Sequence, residues 1–174
     1  MKELNFLARL EKEGKLKLVE PSEEIKNSYL EKADNSLKSA KILLQNNLYE
    51  NSISMSYYTM YNSLTALLYK VGIKCENHTS SILLLKLLFV EEDLSKIILS
   101  AKEERIDKQY YVTDKDNFQL NKESTEEMVK GAEDFLVELK LIIEKTGTNE
   151  TNNYREKFSE LIRSGRKKSK FISD

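Results

Sequence analysis

One arginine continues an apolar helix stripe toward a segment that ends in two tyrosines. Arg105 lies on the same predicted helix face as three apolar residues that precede it, Leu94, Ile98 and Ala101. A guanidinium at the edge of a helix bundle can bind a phosphate through two parallel hydrogen bonds, and the nearby Tyr110 and Tyr111 can stack on a base. The pattern is therefore one that a site for a phosphate-bearing ligand would use.

The position of Arg105 also has a structural interpretation. Its guanidinium can pair with a carboxylate close in sequence, such as Glu104 or Asp107. Its stem can instead cover the core while the charged end stays in water. Spacing alone leaves the functional and the structural interpretation open.

Histidine and cysteine each occur once, which excludes several familiar sites. A Cys/His zinc site and a pair of catalytic histidines both need more than His78 and Cys75. The chain has no Gly-rich phosphate loop, and no serine is singled out as a partner of His78 for nucleophilic catalysis. We expect a loop histidine just before a helix, a cysteine that is a small apolar residue or a surface thiol, and neither a metal nor a cofactor.

The run from Asn51 to Tyr69 carries no charge, although 33% of the chain is charged. Its serine, threonine and asparagine residues make it too polar for efficient membrane insertion, so we expect no membrane partner. A helix without a charged side is normally covered on both sides, by other helices or by a second copy of the protein. Tyr57 and Tyr61 are predicted in the core with their hydroxyls at its rim. The opposite face, a candidate contact with a ligand or a subunit, contains Met55, Tyr58, Asn62 and Tyr69.

The composition indicates a single all-α domain. The 174 residues include five glycines and one proline, so helix formers prevail over turn formers. A net charge of −1 excludes a global basic field that would draw the molecule to nucleic acid or anionic lipid. The N-terminal segment lacks the apolar core of a signal peptide, which favours a cytoplasmic location.

Periodicity, caps and breakers predict an up-and-down bundle of four to five antiparallel helices over residues 21–147, with a short N-terminal helix within 1–20. Ser22 is expected to cap the first bundle helix, Gly72 to end the second, and residues 72–77 to form a turn. Thr79 or Ser80 should cap the third, and a capping box from Ser124 should open the last. The intervening helix spans 94–111, and its inner side is expected to contain Leu94, Ile97, Ile98 and Ala101, before an exposed connection over 112–122.

The C-terminal region, residues 148–174, is predicted as a polar linker followed by a basic extension. Residues 148–153 read as a mobile linker, and a short helix over 154–163 is expected to fray at its end. From Thr151 onward seven Lys and Arg residues face three acidic residues, a net charge of +4. The extension is either a disordered solubilising end or a nucleic-acid arm whose affinity falls steeply with salt.

Two strings carry a resemblance to a known family. The segment SYYTMYNSLTALLYKVGIKCENHTSSI and the later ERIDKQYYV resemble the HEPN domains of prokaryotes, in particular a branch of small archaeal and bacterial proteins. The matching features are the Tyr-Tyr-x-Met-Tyr-Asn segment, the turn at 70–73, the pair His78 and Ser80, and Arg105. The resemblance covers about residues 26–145.

The resemblance implies a helical bundle that is often a homodimer and is frequently encoded beside a small nucleotidyltransferase in toxin–antitoxin-like pairs. Many members are metal-independent ribonucleases in which an arginine and a later histidine meet their copies across the dimer cleft. Arg105 and Ile106 fit the start of that motif, but Tyr110 stands where the histidine is expected. A tyrosine, with an ordinary pKa of about 10, is a poor base near neutral pH. His78 can replace the missing histidine only if the fold brings it to Arg105.

We interpret the chain as a dimeric binding module that recognises RNA or a nucleotide, or that partners a nucleotidyltransferase. The candidate ligand-binding residues are Arg105, Tyr110, Tyr111, His78, Tyr58 and Asn62. One alternative is a weak metal-independent endoribonuclease that uses Arg105 with Tyr110 or His78. Another is a protein-interaction scaffold that dimerises through the face with Met55 and Tyr69.

Overall fold

The computed structural model of the protein describes residues 2–110 and 121–170, and the side chains of residues 2–106 and 121–167. Within these ranges the chain forms seven helices and two short strands. In chain order they are α1 (Lys2–Lys12), β1 (Leu16–Leu18), α2 (Glu23–Gln45), α3 (Tyr49–Lys70), β2 (Ile73–Cys75), α4 (His78–Leu87), α5 (Glu92–Tyr110), α6 (Lys122–Lys145) and α7 (Thr148–Lys170). The all-α prediction is confirmed.

Helix α3, which corresponds to the uncharged run, lies at the centre of the bundle. Helices α2, α4, α5 and α6 all pack against it, so the cover predicted for both of its sides comes from this chain. Its buried hydroxyls are satisfied locally: Ser56 donates to the Ser52 carbonyl at 2.9 Å, and Ser63 donates to the Met60 carbonyl at 2.8 Å. Small, internally bonded side chains let a helix be buried without charge and without orphaned polar groups.

Helices α2 and α3 share the most extensive contact of any pair in the described bundle. Ser22 caps α2 as predicted, because its side chain accepts a hydrogen bond from the backbone N–H of Ile25 at 3.2 Å. Ala33 and Ala40 are fully buried on the inner side of α2, and Ser52 donates across the helix pair to the Ala40 carbonyl at 2.8 Å. Small residues on both helices thus permit the close approach. None of the described helices has both the length and the apolar character needed to cross a membrane.

A two-stranded antiparallel sheet replaces part of the turn predicted over 72–77. Strand β1 pairs with β2 in the register Leu16 to Cys75 and Leu18 to Ile73. Each strand is three residues long, too short for an alternating pattern to be read from the sequence. The sheet joins the segment after α1 to the segment after α3. Gly72, which has a left-handed conformation (φ 70°), follows the end of α3 as predicted.

The polar stretch predicted as a linker forms the first turns of a continuous α7. The Glu150 carboxylate accepts a hydrogen bond from the backbone N–H of Gly147 at 3.0 Å, which satisfies a donor at the start of this helix. The expected short helix over 154–163 is therefore part of a helix that begins at Thr148 and reaches Lys170. Phe158 and Ile162 of α7 are buried in the main core, and the Tyr154 ring packs against Phe89 at 4.7 Å.

Arg155, counted above among the basic residues of the C-terminal extension, has a structural role. Its Nη1 donates to the carbonyl oxygens of Val19 at 2.6 Å and of Gly72 at 3.1 Å, with a longer contact to Val71. These carbonyls lie at the C-terminal end of α3 and in the segment beside it, where a cation suits the helix dipole. Arg155 thereby fastens α7 to the centre of the fold.

Helix α7 also packs on α1. Leu7 and Leu10 of α1 are buried, and Gly165 of α7 lies directly against the α1 backbone at Leu4. The predicted N-terminal helix and the basic extension are thus a pair of packed helices at one side of the bundle.

Three local predictions are wrong. Asn77, and not Thr79 or Ser80, caps α4, since its side chain accepts from the backbone N–H of Ser80 at 3.0 Å. In the same way Asn121 caps α6 ahead of the expected capping box at Ser124. Ile97, predicted on the inner side of α5, is 43% exposed. The connection predicted over 112–122 lies largely outside the described residues.

Candidate functional site

Arg105 lies on the inner side of α5 and faces two tyrosines of α3. Its guanidinium carbon is 5.0 Å from the centre of the Tyr58 ring and 5.5 Å from that of Tyr57, and its Nη2 donates to the Tyr58 hydroxyl at 3.2 Å. The Arg105 Nε is buried and has no hydrogen-bond partner among the residues that the structure describes. The aromatic rings and the Tyr58 hydroxyl therefore hold the guanidinium in place, and its buried Nε is left without a described partner.

His78 is the first residue of α4 and lies beside the same tyrosines. Its Nδ1 is 2.6 Å from the Tyr57 hydroxyl, and its ring stacks on Tyr61 with a centroid distance of 3.7 Å. Because Asn77 caps α4, the imidazole is positioned by the helix start, by the stack and by the hydrogen bond at once. The fold thus brings the single histidine to Arg105 through their shared neighbour Tyr57.

The hydrogen bond between Tyr57 and His78 determines which imidazole nitrogen carries the proton. Tyr57 is fully buried, and burial raises the pKa of its hydroxyl well above the ordinary value, so the hydroxyl keeps its proton. The acceptor that the structure places at this hydroxyl is Nδ1 of His78. With the Tyr57 hydroxyl as the donor, the neutral imidazole accepts at Nδ1 and presents an N–H donor at Nε2.

Two cations lie near the imidazole and keep it neutral. Burial, together with the charges of Lys102 and Arg105, lowers the pKa of His78 below its ordinary value of 6.5. Lys102 lies one helical turn before Arg105, and its ammonium donates to the Thr79 hydroxyl at 2.7 Å. The site thus combines a guanidinium, an ammonium and an imidazole N–H, which are hydrogen-bond donors suited to an anion.

We expect the free energy of unfolding to fall as the pH is lowered through 6.5, the ordinary pKa of histidine. The folded-state pKa of His78 is lower, so the unfolded chain binds the proton more readily and stability is lost below this pH. In His78→Asn the amide oxygen can accept the Tyr57 hydrogen bond and does not titrate, so the pH profile should be flatter. Urea unfolding at several pH values measures the difference, and identical profiles would contradict a buried neutral imidazole.

The structure brings together three of the six residues that the sequence predicts as ligand-binding candidates, Arg105, His78 and Tyr58. Asn62 lies toward α2, where its amide donates to the Ser36 hydroxyl at 3.4 Å. Tyr110 is the last residue of α5, and its side chain and the whole of Tyr111 lie outside the described residues.

Sequence reasoning missed three members of the site. It placed Tyr57 and Tyr61 in the core and gave no role to Lys102. The available signal was helical spacing, since each tyrosine lies one turn from the other and Lys102 lies three residues before Arg105.

The face of α3 predicted to contact a ligand or a second subunit has partners within the chain. Tyr69 stacks on Tyr29 of α2 with a centroid distance of 5.6 Å, and Met55 packs against the buried cluster between α2 and α6. Tyr58 bonds Arg105 and Asn62 bonds Ser36, as described above. The absence of charge on this face is therefore explained without a second copy of the protein.

The helical bundle agrees with the comparisons to known proteins. The HEPN domain model matches residues 27–143, more than half of the chain. The chain therefore belongs to the HEPN domain family, as its sequence resemblance predicts. It is similar to Putative toxin MJ0605 of Methanocaldococcus jannaschii, with 29% identity over 116 residues that cover 67% of this chain and 81% of that protein. The family match begins within α2 and ends within α6, so α1, β1 and α7 lie outside it.

Proposed function

We propose that the protein is a HEPN binding module that recognises phosphate groups of RNA or a nucleotide through Arg105, His78 and Lys102. The observation that carries the proposal is the Arg105 guanidinium, held over two tyrosine rings with a buried Nε that lacks a partner among the described residues. An unpaired buried donor costs about 1–3 kcal/mol, and an oxyanion that reaches it offsets this cost. Tyr110 and Tyr111, which follow along the chain, are the proposed stacking partners of a base.

The proton positions favour binding over cleavage. Metal-independent RNA cleavage needs a group that removes a proton as well as one that donates it. His78 presents an N–H at Nε2 and has its acceptor nitrogen occupied by Tyr57, while burial raises the pKa of both Tyr57 and Tyr61. The arrangement supplies donors to a phosphate and lacks an evident base among the described residues of the site.

A weak metal-independent endoribonuclease is the second candidate. Its support is the placement of His78 near Arg105, since this chain has Tyr110 at the position where the family motif has its histidine. An RNA cleavage assay in EDTA separates the candidates. Cutting that disappears in both Arg105→Ala and His78→Asn would establish the enzyme, and uncut RNA that remains bound would establish the module.

The proposed setting is a toxin–antitoxin-like pair. The similarity to a protein named as a toxin supports it, and the family resemblance implies a nucleotidyltransferase as the partner and a second copy of this chain as a further one. The first test of the nucleotidyltransferase partner is whether a neighbouring gene encodes one, followed by co-expression and copurification of the pair. Sedimentation of the purified chain tests for the second copy.

Arg105→Ala is expected to weaken the binding of both RNA and nucleotides at least about tenfold, because a charge-assisted hydrogen bond contributes about 1.5–3 kcal/mol. Arg105→Lys should retain part of the affinity, since it keeps the charge and loses the two-pronged geometry. Lys38→Ala, which removes an exposed charge from α2, is the control for a general electrostatic effect. Fluorescence anisotropy for RNA and calorimetry for nucleotides measure the affinities. Equal affinities of the parent and Arg105→Ala would refute the proposed function.

A further inference from the structure

Helices α1 and α7 form a basic groove outside the segment that matches the family. The groove has a volume of about 870 Å³, and its lining contains four cations, Lys2, Arg9, Lys12 and Arg166, and no carboxylate. Glu11 pairs with Arg166 and Glu13 lies 3.9 Å from Arg9, so acidic neighbours partly offset these two arginines. Lys2 and Lys12 are exposed and have no ion pair within the described part of the chain. This groove is a local positive region on a protein whose net charge is −1.

A second cavity adjoins the basic groove and extends toward the Arg105 site. It has a volume of about 430 Å³ and shares Lys2 and Phe6 with the basic groove. At its other end it reaches Thr79, whose hydroxyl accepts the hydrogen bond from Lys102. The floor between these ends is largely apolar and contains Ile82, Leu83 and Leu99. The lining also contains Lys86 and Lys96 and two carboxylates, Glu3 and Glu92, so cations outnumber acidic groups between Lys2 and Thr79.

The surface of the two cavities fits an unpaired nucleic-acid strand. Phosphates require cations at intervals, and exposed bases require aromatic or apolar contacts between them. The Phe6 ring, which has the Arg9 guanidinium 5.5 Å from its centre, lies where the two cavities meet and offers a stacking surface. A paired duplex would keep its bases away from such a floor.

We propose that α1 and α7 extend the phosphate site into a track for single-stranded RNA, so that the ligand is a strand of several nucleotides and not a mononucleotide. The proposal rests on the proposed function, because one end of the track is the Arg105 site. It assigns the strand's remaining phosphates to Lys2, Lys12 and their arginine neighbours.

The test compares uridine monophosphate with an oligouridylate of about 12 nucleotides, a length within the range that single-strand binding modules cover. The double variant Lys2→Glu/Lys12→Glu reverses two charges in the groove. The control Lys38→Glu/Lys145→Glu reverses two exposed charges on α2 and α6, and Lys145 lies in the last turn of its helix just as Lys12 does. Circular dichroism verifies that all proteins are folded, and anisotropy and calorimetry measure the affinities over a salt series.

The groove variant is expected to bind the oligouridylate about tenfold more weakly, and its salt slope should fall by about 1.4, which corresponds to two lost phosphate contacts on a single strand. The control variant should lose much less affinity for the oligouridylate. In the groove variant, the affinity for the monophosphate should fall far less than the affinity for the oligouridylate. The track is overturned if the parent binds both ligands with equal affinity. It is also overturned if the control variant loses as much affinity for the oligouridylate as the groove variant does.

The two proposals fail in different ways. If Arg105→Ala binds neither ligand and the groove variant binds both as well as the parent, the proposed phosphate site is supported and the track is refuted. If the groove variant no longer binds the oligouridylate and Arg105→Ala binds both ligands as well as the parent, the Arg105 site is refuted. The track would then have no phosphate site at its end. An oligouridylate that does not bind to the parent protein would overturn the track.

Discussion

Gly72→Ala is expected to lower the free energy of unfolding by about 3 kcal/mol, through a left-handed backbone and lost charge-assisted hydrogen bonds. The residue ends α3 with a φ of 70°, which disfavours any side chain. A methyl group there would lie 2.1 Å from Nη1 of Arg155 and 2.4 Å from the Val19 carbonyl oxygen. The guanidinium would have to leave the carbonyls of Val19 and Gly72, and α7 would lose its attachment to α3. Urea unfolding followed by circular dichroism measures the change.

Gly14→Ala is the matched control for Gly72→Ala. Gly14 has nearly the same backbone conformation, with a φ of 74°, but no atom of the described part of the chain lies within 4 Å of the position that a methyl group would take. It should therefore show only the backbone cost, about 1 kcal/mol. If the two variants lost the same stability, the contact between Gly72 and Arg155 would contribute nothing to the fold.

Gly165→Ala is expected to lower the free energy of unfolding by about 2 kcal/mol, the usual cost of an overpacked contact. A methyl group at this position of α7 would lie 2.2 Å from the Leu4 carbonyl oxygen and 2.9 Å from the Ala8 methyl group. The Leu4 contact is with backbone, so relief requires α1 to move away from α7. Thermal unfolding measures the loss, and limited proteolysis within α1 should become faster if α1 is displaced.

The control for Gly165→Ala is Gly131→Ala in α6. Among the described residues, no atom outside the helix lies within 4 Å of a methyl group at Gly131. The substitution should therefore stabilise the protein by about 0.5–1 kcal/mol through helix propensity alone. An equal gain in stability at Gly165 would mean that α1 and α7 are not closely packed.

The helices could be predicted from the sequence because each has a long apolar stripe and a marked end. The stripe of Ala33, Leu37 and Ala40 defines the inner side of α2, and Ser22 and Gly72 are strong end signals. The caps at Asn77 and Asn121 were not predicted because each precedes several hydroxyl residues that are equally good candidates. The start of α7 was not predicted because its polar residues have low helix propensity. The packing of Phe158 and Ile162 stabilises this helix, and that packing is not visible in the local sequence.

The candidate site could be predicted only in part. Arg105 was identifiable because it interrupts an apolar stripe, which is a signal within one helix. The approach of His78 depends on the order in which α3, α4 and α5 pack, and no local pattern encodes that order. Tyr57 was placed in the core correctly, since it is fully buried, but its hydroxyl bond to His78 is a tertiary contact. Residue types thus indicate what can react or bind, and packing determines which of them meet.

The pairing of α1 with α7 has a consequence for the order of events on the ribosome. Synthesis delivers N-terminal segments first, so α1 emerges long before the helix that covers Leu7 and Leu10. The arginine site is formed by α3, α4 and α5, which are all synthesised before α7. The basic groove also needs Arg166 of α7, so it can be completed only after that helix has been made.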